Sequence, residues 1–124
     1  AIYNYYSGYE SQFNSRIAQI YSYDNQLTSM NNDIKSNQDT LNSLNSQLNT
    51  LKAKMDSLKL TSASAYNAQV TNYNNLVNQY NDLRSTTLNL INNYNQLVAT
   101  RNDIANQLKN LDDAINTTII PTSN

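Results

Sequence analysis

The sequence predicts an all-α fold, a long antiparallel coiled-coil helical hairpin packed with other copies of itself into a bundle or filament. Three observations predict it. Apolar residues recur at heptad spacing along most of the chain, the heptad frame shifts once near the middle, and the 124 residues hold only one Gly and one Pro. Amphipathic helices need that spacing and tolerate neither residue well in their interiors.

Residues 1–8 are a Tyr-rich lead-in that holds the sole glycine, Gly8, and are expected to fray or to dock elsewhere. Residues 9–60 form the first coiled-coil arm. Counting by sevens from Tyr6 gives Phe13, Ile20, Leu27, Ile34, Leu41, Leu48 and Met55 at position a. Three residues after each a position come Tyr9, Arg16, Tyr23, Met30, Asn37, Leu44, Leu51 and Leu58 at d, without a skip. Such regularity opposes the disorder that a mean hydropathy of −0.68 and 24 Asn otherwise suggest.

Residues 61–65 are the expected turn, because the first arm's a series would continue through Ser62 whereas the second arm starts its own at Tyr66. A four-residue shift also fits a stutter in one continuous helix. Ser62 or Ser64 as a helix cap, and two arms of nearly equal length, roughly 75–80 Å each at 1.5 Å per residue, favour the turn. Residues 66–116 form the second arm, with Tyr66, Tyr73, Tyr80, Thr87, Tyr94, Arg101 and Leu108 at a, and Gln69, Leu76, Leu83, Leu90, Leu97, Ile104 and Leu111 at d. Position e is also largely apolar, with Val70, Val77, Ile91 and Val98. A stripe of a, d and e is wider than a two-helix seam needs, so this arm is expected to touch more than one helix. Residues 117–124 are a non-helical tail, since β-branched residues lead into Pro121.

Folding back about Ser62 sets Leu48 against Leu76, Leu41 against Leu83, Ile34 against Leu90 and Leu27 against Leu97. The same register pairs the two polar interruptions, Asn37 and Thr87, in one layer and sets Tyr23 against Arg101 as a cation–π contact.

Composition removes most chemistry. No His and no Cys means no imidazole base, no thiolate and no ordinary zinc, haem or iron–sulfur site. Asp112 and Asp113 are adjacent, so they diverge by about 100° around a helix and cannot act as an acid–base pair. The expectation is therefore no enzyme, no catalytic residue, no metal and no cofactor. With 8 Lys+Arg against 9 Asp+Glu there is no basic surface for a phosphate backbone, so nucleic acid is not an expected partner. Apolar runs are too short for a transmembrane segment.

Only 14% of residues are charged, and Asn, Gln, Ser and Thr coat the helices instead. Uncharged hydrogen-bonding groups solvate a helix independently of pH and salt. This fits a secreted or cell-surface setting, including an acidic one, and it fits a composition biased toward Asn and Tyr equally well. Ala1 rather than Met begins the sequence, from which a processed mature form is expected over a cut one. Helicity is expected to survive acid. Circular dichroism should keep its helix signal between neutral pH and about pH 3, because so little stabilisation can rest on carboxylates.

The candidate self-association face is Tyr73, Leu76, Val77, Tyr80, Leu90, Ile91, Tyr94, Leu97 and Val98 on the second arm. Asn37 and Thr87 are the candidate polar register layer, and Tyr3, Tyr5, Tyr6 and Tyr9 a candidate subunit contact. Seam tyrosines at a positions read as core, with their phenols reaching the rim. Asn116 opens the one N-x-S/T sequon and is a candidate glycosylation site. Lys52, Lys54 and Lys59 gather near the turn while Asp112 and Asp113 lie at the far end, a pattern that fits solvated ends or end-to-end attraction between copies.

The repeated unit Tyr73-Asn74-Asn75-Leu76-Val77 and Tyr94-Asn95-Gln96-Leu97-Val98 resembles coiled-coil stalk and scaffold segments of secreted or surface-anchored prokaryotic proteins. The resemblance covers about residues 66–100 and implies a stalk or scaffold role, with no functional residue attached to it. The expected function is a structural, self-assembling extracellular coiled-coil subunit of a filament, stalk or surface scaffold. Its partners would be copies of itself and other surface proteins. The alternatives are a straight parallel trimeric stalk of an adhesin and a helical virion or pore-forming component.

Overall fold

A computed structural model describes the backbone of residues 2–117 and the side chains of residues 7–113. Two helices account for all of that backbone except residues 59–62: α1 (Ile2–Leu58) and α2 (Ala63–Thr117), packed against each other as a hairpin. The chain reversal overturns the continuous helix with a stutter, and with it the straight rod on which the parallel trimeric stalk depended.

α1 starts at Ile2, so helix runs through the Tyr-rich segment that the sequence reading set apart. Gly8 does not adopt positive φ, and a Cβ added there would meet nothing within 4 Å. A helical glycine costs only about 1 kcal/mol relative to alanine, which is too little to end a heptad stripe that already includes Tyr6. At the other end α2 reaches Thr117, one residue past the expected boundary at 116.

The turn occupies residues 59–62, slightly earlier than the frame shift suggested, and it needs neither glycine nor any residue at positive φ. Instead the last carbonyls of α1 are closed locally. The Lys59 N–H donates to the Met55 carbonyl at 3.0 Å, while the N–H groups of Thr61 and Ser62 share the Leu58 carbonyl at 3.1 and 2.9 Å. The Thr61 hydroxyl donates to the Ser57 carbonyl at 3.3 Å. Ser62 then opens α2: its Oγ accepts from the Ala65 N–H at 3.2 Å and its carbonyl from the Tyr66 N–H at 3.0 Å. That is N-cap geometry, with the hydroxyl satisfying an otherwise orphan donor of the first turn. Ser62→Ala should lower stability by about 1 kcal/mol and Ser62→Gly by only a few tenths, read from urea unfolding curves.

The hairpin comprises two compact units. The terminal unit is Ala1–Met30 with Asn93–Asn124, and the turn unit is Asn31–Asn92. In the terminal unit two side-chain pairs cross between helices. Arg16 Nε donates to Gln107 Oε1 at 3.1 Å, and Arg101 donates through Nε and Nη2 to the Asp24 carboxylate at 2.9 and 3.4 Å. Folding about Ser62 would have set Arg16 against Leu108 and Arg101 against Tyr23, so each observed partner lies one residue from the expected one. In the turn unit lie the three most enclosed side chains described, Ile34 and Leu44 at 8% exposure and Thr87 at 3%.

Candidate self-association face

Every a and d residue of α1 from Tyr9 to Leu58, and of α2 from Tyr66 to Leu111, is half-buried or buried. Between Tyr9 and Leu58 only Asn31 joins them from another heptad position. α2 adds Val70, Val77, Ile91, Val98 and Ala105 from e, and Ala65 and Gln107 from g. The buried stripe of α2 is therefore the wider one, as its pattern required.

Wider does not mean covered. No described side chain is fully enclosed, and Ile34 and Leu44 are the only apolar ones that reach the buried class. Tyr73, Leu76, Val77, Tyr80, Leu90 and Ile91 in the turn unit, and Tyr94, Leu97 and Val98 in the terminal unit, all keep part of their surface in water. A two-helix seam has one neighbour per side chain, whereas a core residue normally touches many.

Among the described residues, the large apolar side chains left most exposed on the helices were not legible from the a and d positions. They are Ile17 at 45% and Leu88 at 44%, together with Tyr21. Ile17 stands at e, and Tyr21 and Leu88 at b, which lies beside e on the helix surface. The available signal was a bulky apolar residue outside the seam positions. The opposite flank is polar: position c of α1 is Ser or Thr at residues 15, 22, 29, 36, 43, 50 and 57. Two of its amides are engaged on their own helix, Gln26 Nε2 with Ser22 Oγ and Gln47 Nε2 with Ser43 Oγ, both at 3.3 Å.

The polar layer takes a different form from the expected pairing. The Thr87 hydroxyl donates to the Leu83 carbonyl of its own helix at 2.7 Å, and no hydrogen bond joins Thr87 to Asn37 among the described residues. A helical threonine can satisfy itself by this back-bond and so enter a seam with its methyl group outward. Asn37, partly buried at d, makes no side-chain bond of its own among the described residues. Thr87→Val keeps the shape, and the Leu83 carbonyl retains its place in the helix ladder, so no group is orphaned. Thermal unfolding of that variant should show unchanged stability or a gain of up to about 1 kcal/mol.

Arg101 likewise departs from expectation. Its guanidinium rests on the Asp24 carboxylate rather than on the Tyr23 ring, because a carboxylate accepts two directed hydrogen bonds and a ring face accepts none as strong. Tyr9 is partly buried, while the side chains of Tyr3, Tyr5, Tyr6 and Asn116 lie outside the described residues.

A shallow groove in the turn unit is lined by Ser43, Ser46, Gln47, Thr50, Leu51, Lys54 and Leu76, that is, by hydroxyl, amide and apolar groups with Lys54 as the one ionisable side chain in the lining. No cluster of three or more Asp or Glu able to hold a metal occurs among the described residues. No described helix is long and apolar enough to cross a membrane. No family model matches the chain, and neither a curated protein nor a solved structure does.

Proposed function

We propose that the chain is a structural, self-assembling subunit: a helical hairpin that completes its apolar core by packing the a/d/e face of α2 against further copies. The carrying observation is the incomplete burial of that face. Apolar surface withdrawn from water contributes roughly 25 cal/mol per Å², so the half-buried Val, Leu and Tyr side chains of α2 are a reserve of association energy.

The setting proposed is extracellular: a filament, stalk or surface scaffold, with other surface proteins as further partners. Its support is the coat of uncharged amides and hydroxyls, which hydrates without depending on pH or salt. The absence of His and Cys from the sequence supports a role without catalysis. Light scattering coupled to size-exclusion chromatography tests the reading. A mass that is a multiple of 14.0 kDa is the expected result, and a constant 14.0 kDa across the micromolar range sinks it.

A further inference from the structure

We infer that copies of this chain pair antiparallel through the e/b flank of α2, with Val77 of one copy against Val98 of the other and Ile91 against Arg84. The inference rests on the self-assembly just proposed and specifies which surface is used and in what direction.

Sidedness selects the surface. Among the described residues of the helices the exposed bulky apolar side chains are Ile17, Tyr21 and Leu88, all at e or b; Leu88 stands on α2, three residues from the half-buried Ile91, while Ile17 and Tyr21 stand on α1. On the other flank of α1, Gln26 and Gln47 are already bonded to Ser22 and Ser43, which leaves less for a partner to satisfy. Along the e/b flank the apolar residues alternate with exposed asparagines at b, Asn67, Asn74, Asn81, Asn95 and Asn102. Amides both donate and accept, so such a ladder can pair with a copy of itself.

Charge sets the direction. The turn unit carries five Lys and Arg against four Asp, including exposed Lys52, Lys54 and Lys59. The terminal unit carries three Lys and Arg against five Asp and Glu. A parallel pair sets like against like, whereas an antiparallel pair brings the turn unit of one copy beside the terminal unit of the other. The register follows from Arg84, the one charge among the e residues from Val70 to Ala105. Centring the two-fold between Thr87 and Leu88 keeps Arg84 off its own image and lays its alkyl stem on Ile91. It also pairs Val77 with Val98 and puts Leu88 at the axis.

The chain has no cysteine, so introduced thiols report cleanly. Asn74→Cys and Asn102→Cys occupy exposed b positions on this flank, one in each unit. Each variant is treated with a short bismaleimide, alone and mixed with a mass-tagged version of the other, while light scattering follows the uncross-linked protein. Antiparallel pairing predicts a covalent dimer only in the mixture. Cross-linking of each variant with itself overturns the direction and leaves self-assembly standing. A multimeric mass with no cross-link in any sample overturns the choice of flank and register. A mass of 14.0 kDa throughout overturns the inference together with the self-assembly beneath it.

Discussion

Leu44→Ala is expected to lower the unfolding free energy by about 2–3 kcal/mol, measured as a fall in the urea midpoint at unchanged slope. Leu44 is one of only two buried apolar side chains described and sits at d in the turn unit. Deleting its branched end loses the transfer energy of three carbons and leaves a gap that a backbone held on both sides fills only in part. The value falls toward the lower end of the usual range because a two-helix seam lies close to water and can collapse. Leu60 is the internal control. It stands in the turn at 95% exposure, so Leu60→Ala should leave the same midpoint within about 0.5 kcal/mol. Equal effects at the two positions would remove the seam from the account.

The second large effect concerns association. Val77→Lys combined with Val98→Lys should reduce the assembly to 14.0 kDa particles in sedimentation velocity while circular dichroism stays helical. Both residues are partly buried at e, where a lysine can run its alkyl stem along the seam and keep its ammonium group in water, so the hairpin survives. Between copies the same ammonium groups would be desolvated against apolar surface and against each other, and like charges held in contact cost several kcal/mol. Pairing Val77→Lys with Val98→Glu separates direction from mere crowding. In an antiparallel pair the introduced charges meet as opposites twice over and association returns, whereas in a parallel pair each meets its own kind and association stays lost.

The fold was largely legible because the signals were redundant. Fifteen d and a residues of α1 from Tyr9 to Leu58 follow one heptad frame, and all of them are half-buried or buried. Burial is decided by periodicity alone, and a long helix repeats the vote many times. The turn was harder to place, because Lys59-Leu60-Thr61-Ser62 offers no Gly or Pro and closes instead on shared carbonyl bonds and a serine cap. The start of α1 was missed for a related reason: one glycine was given more weight than its cost of about 1 kcal/mol allows.

Partners across the seam were legible to within one residue but not in kind. Heptad arithmetic brings Arg101 to the level of Tyr23 and Asp24, yet hydrogen-bond strength decides between a ring and a carboxylate, and periodicity says nothing of that. Thr87 shows the same limit. Its position predicted a polar layer, while the proximity of the Leu83 carbonyl lets the hydroxyl satisfy itself at 2.7 Å. The e/b flank was only half visible. Val70, Val77, Ile91 and Val98 stood out as a run, whereas Ile17, Tyr21 and Leu88 are single residues whose meaning comes from the flank they share.

If the hairpin completes its core with further copies, folding and association are linked, and stability must depend on concentration. The direct measurement is the thermal midpoint of the unmodified chain, followed by circular dichroism over about a hundredfold range of protein concentration. A midpoint that climbs steadily with concentration is the predicted result, since partner copies bind the folded hairpin and not the unfolded chain. A midpoint that stays constant over the whole range, with a mass of 14.0 kDa throughout, would contradict it.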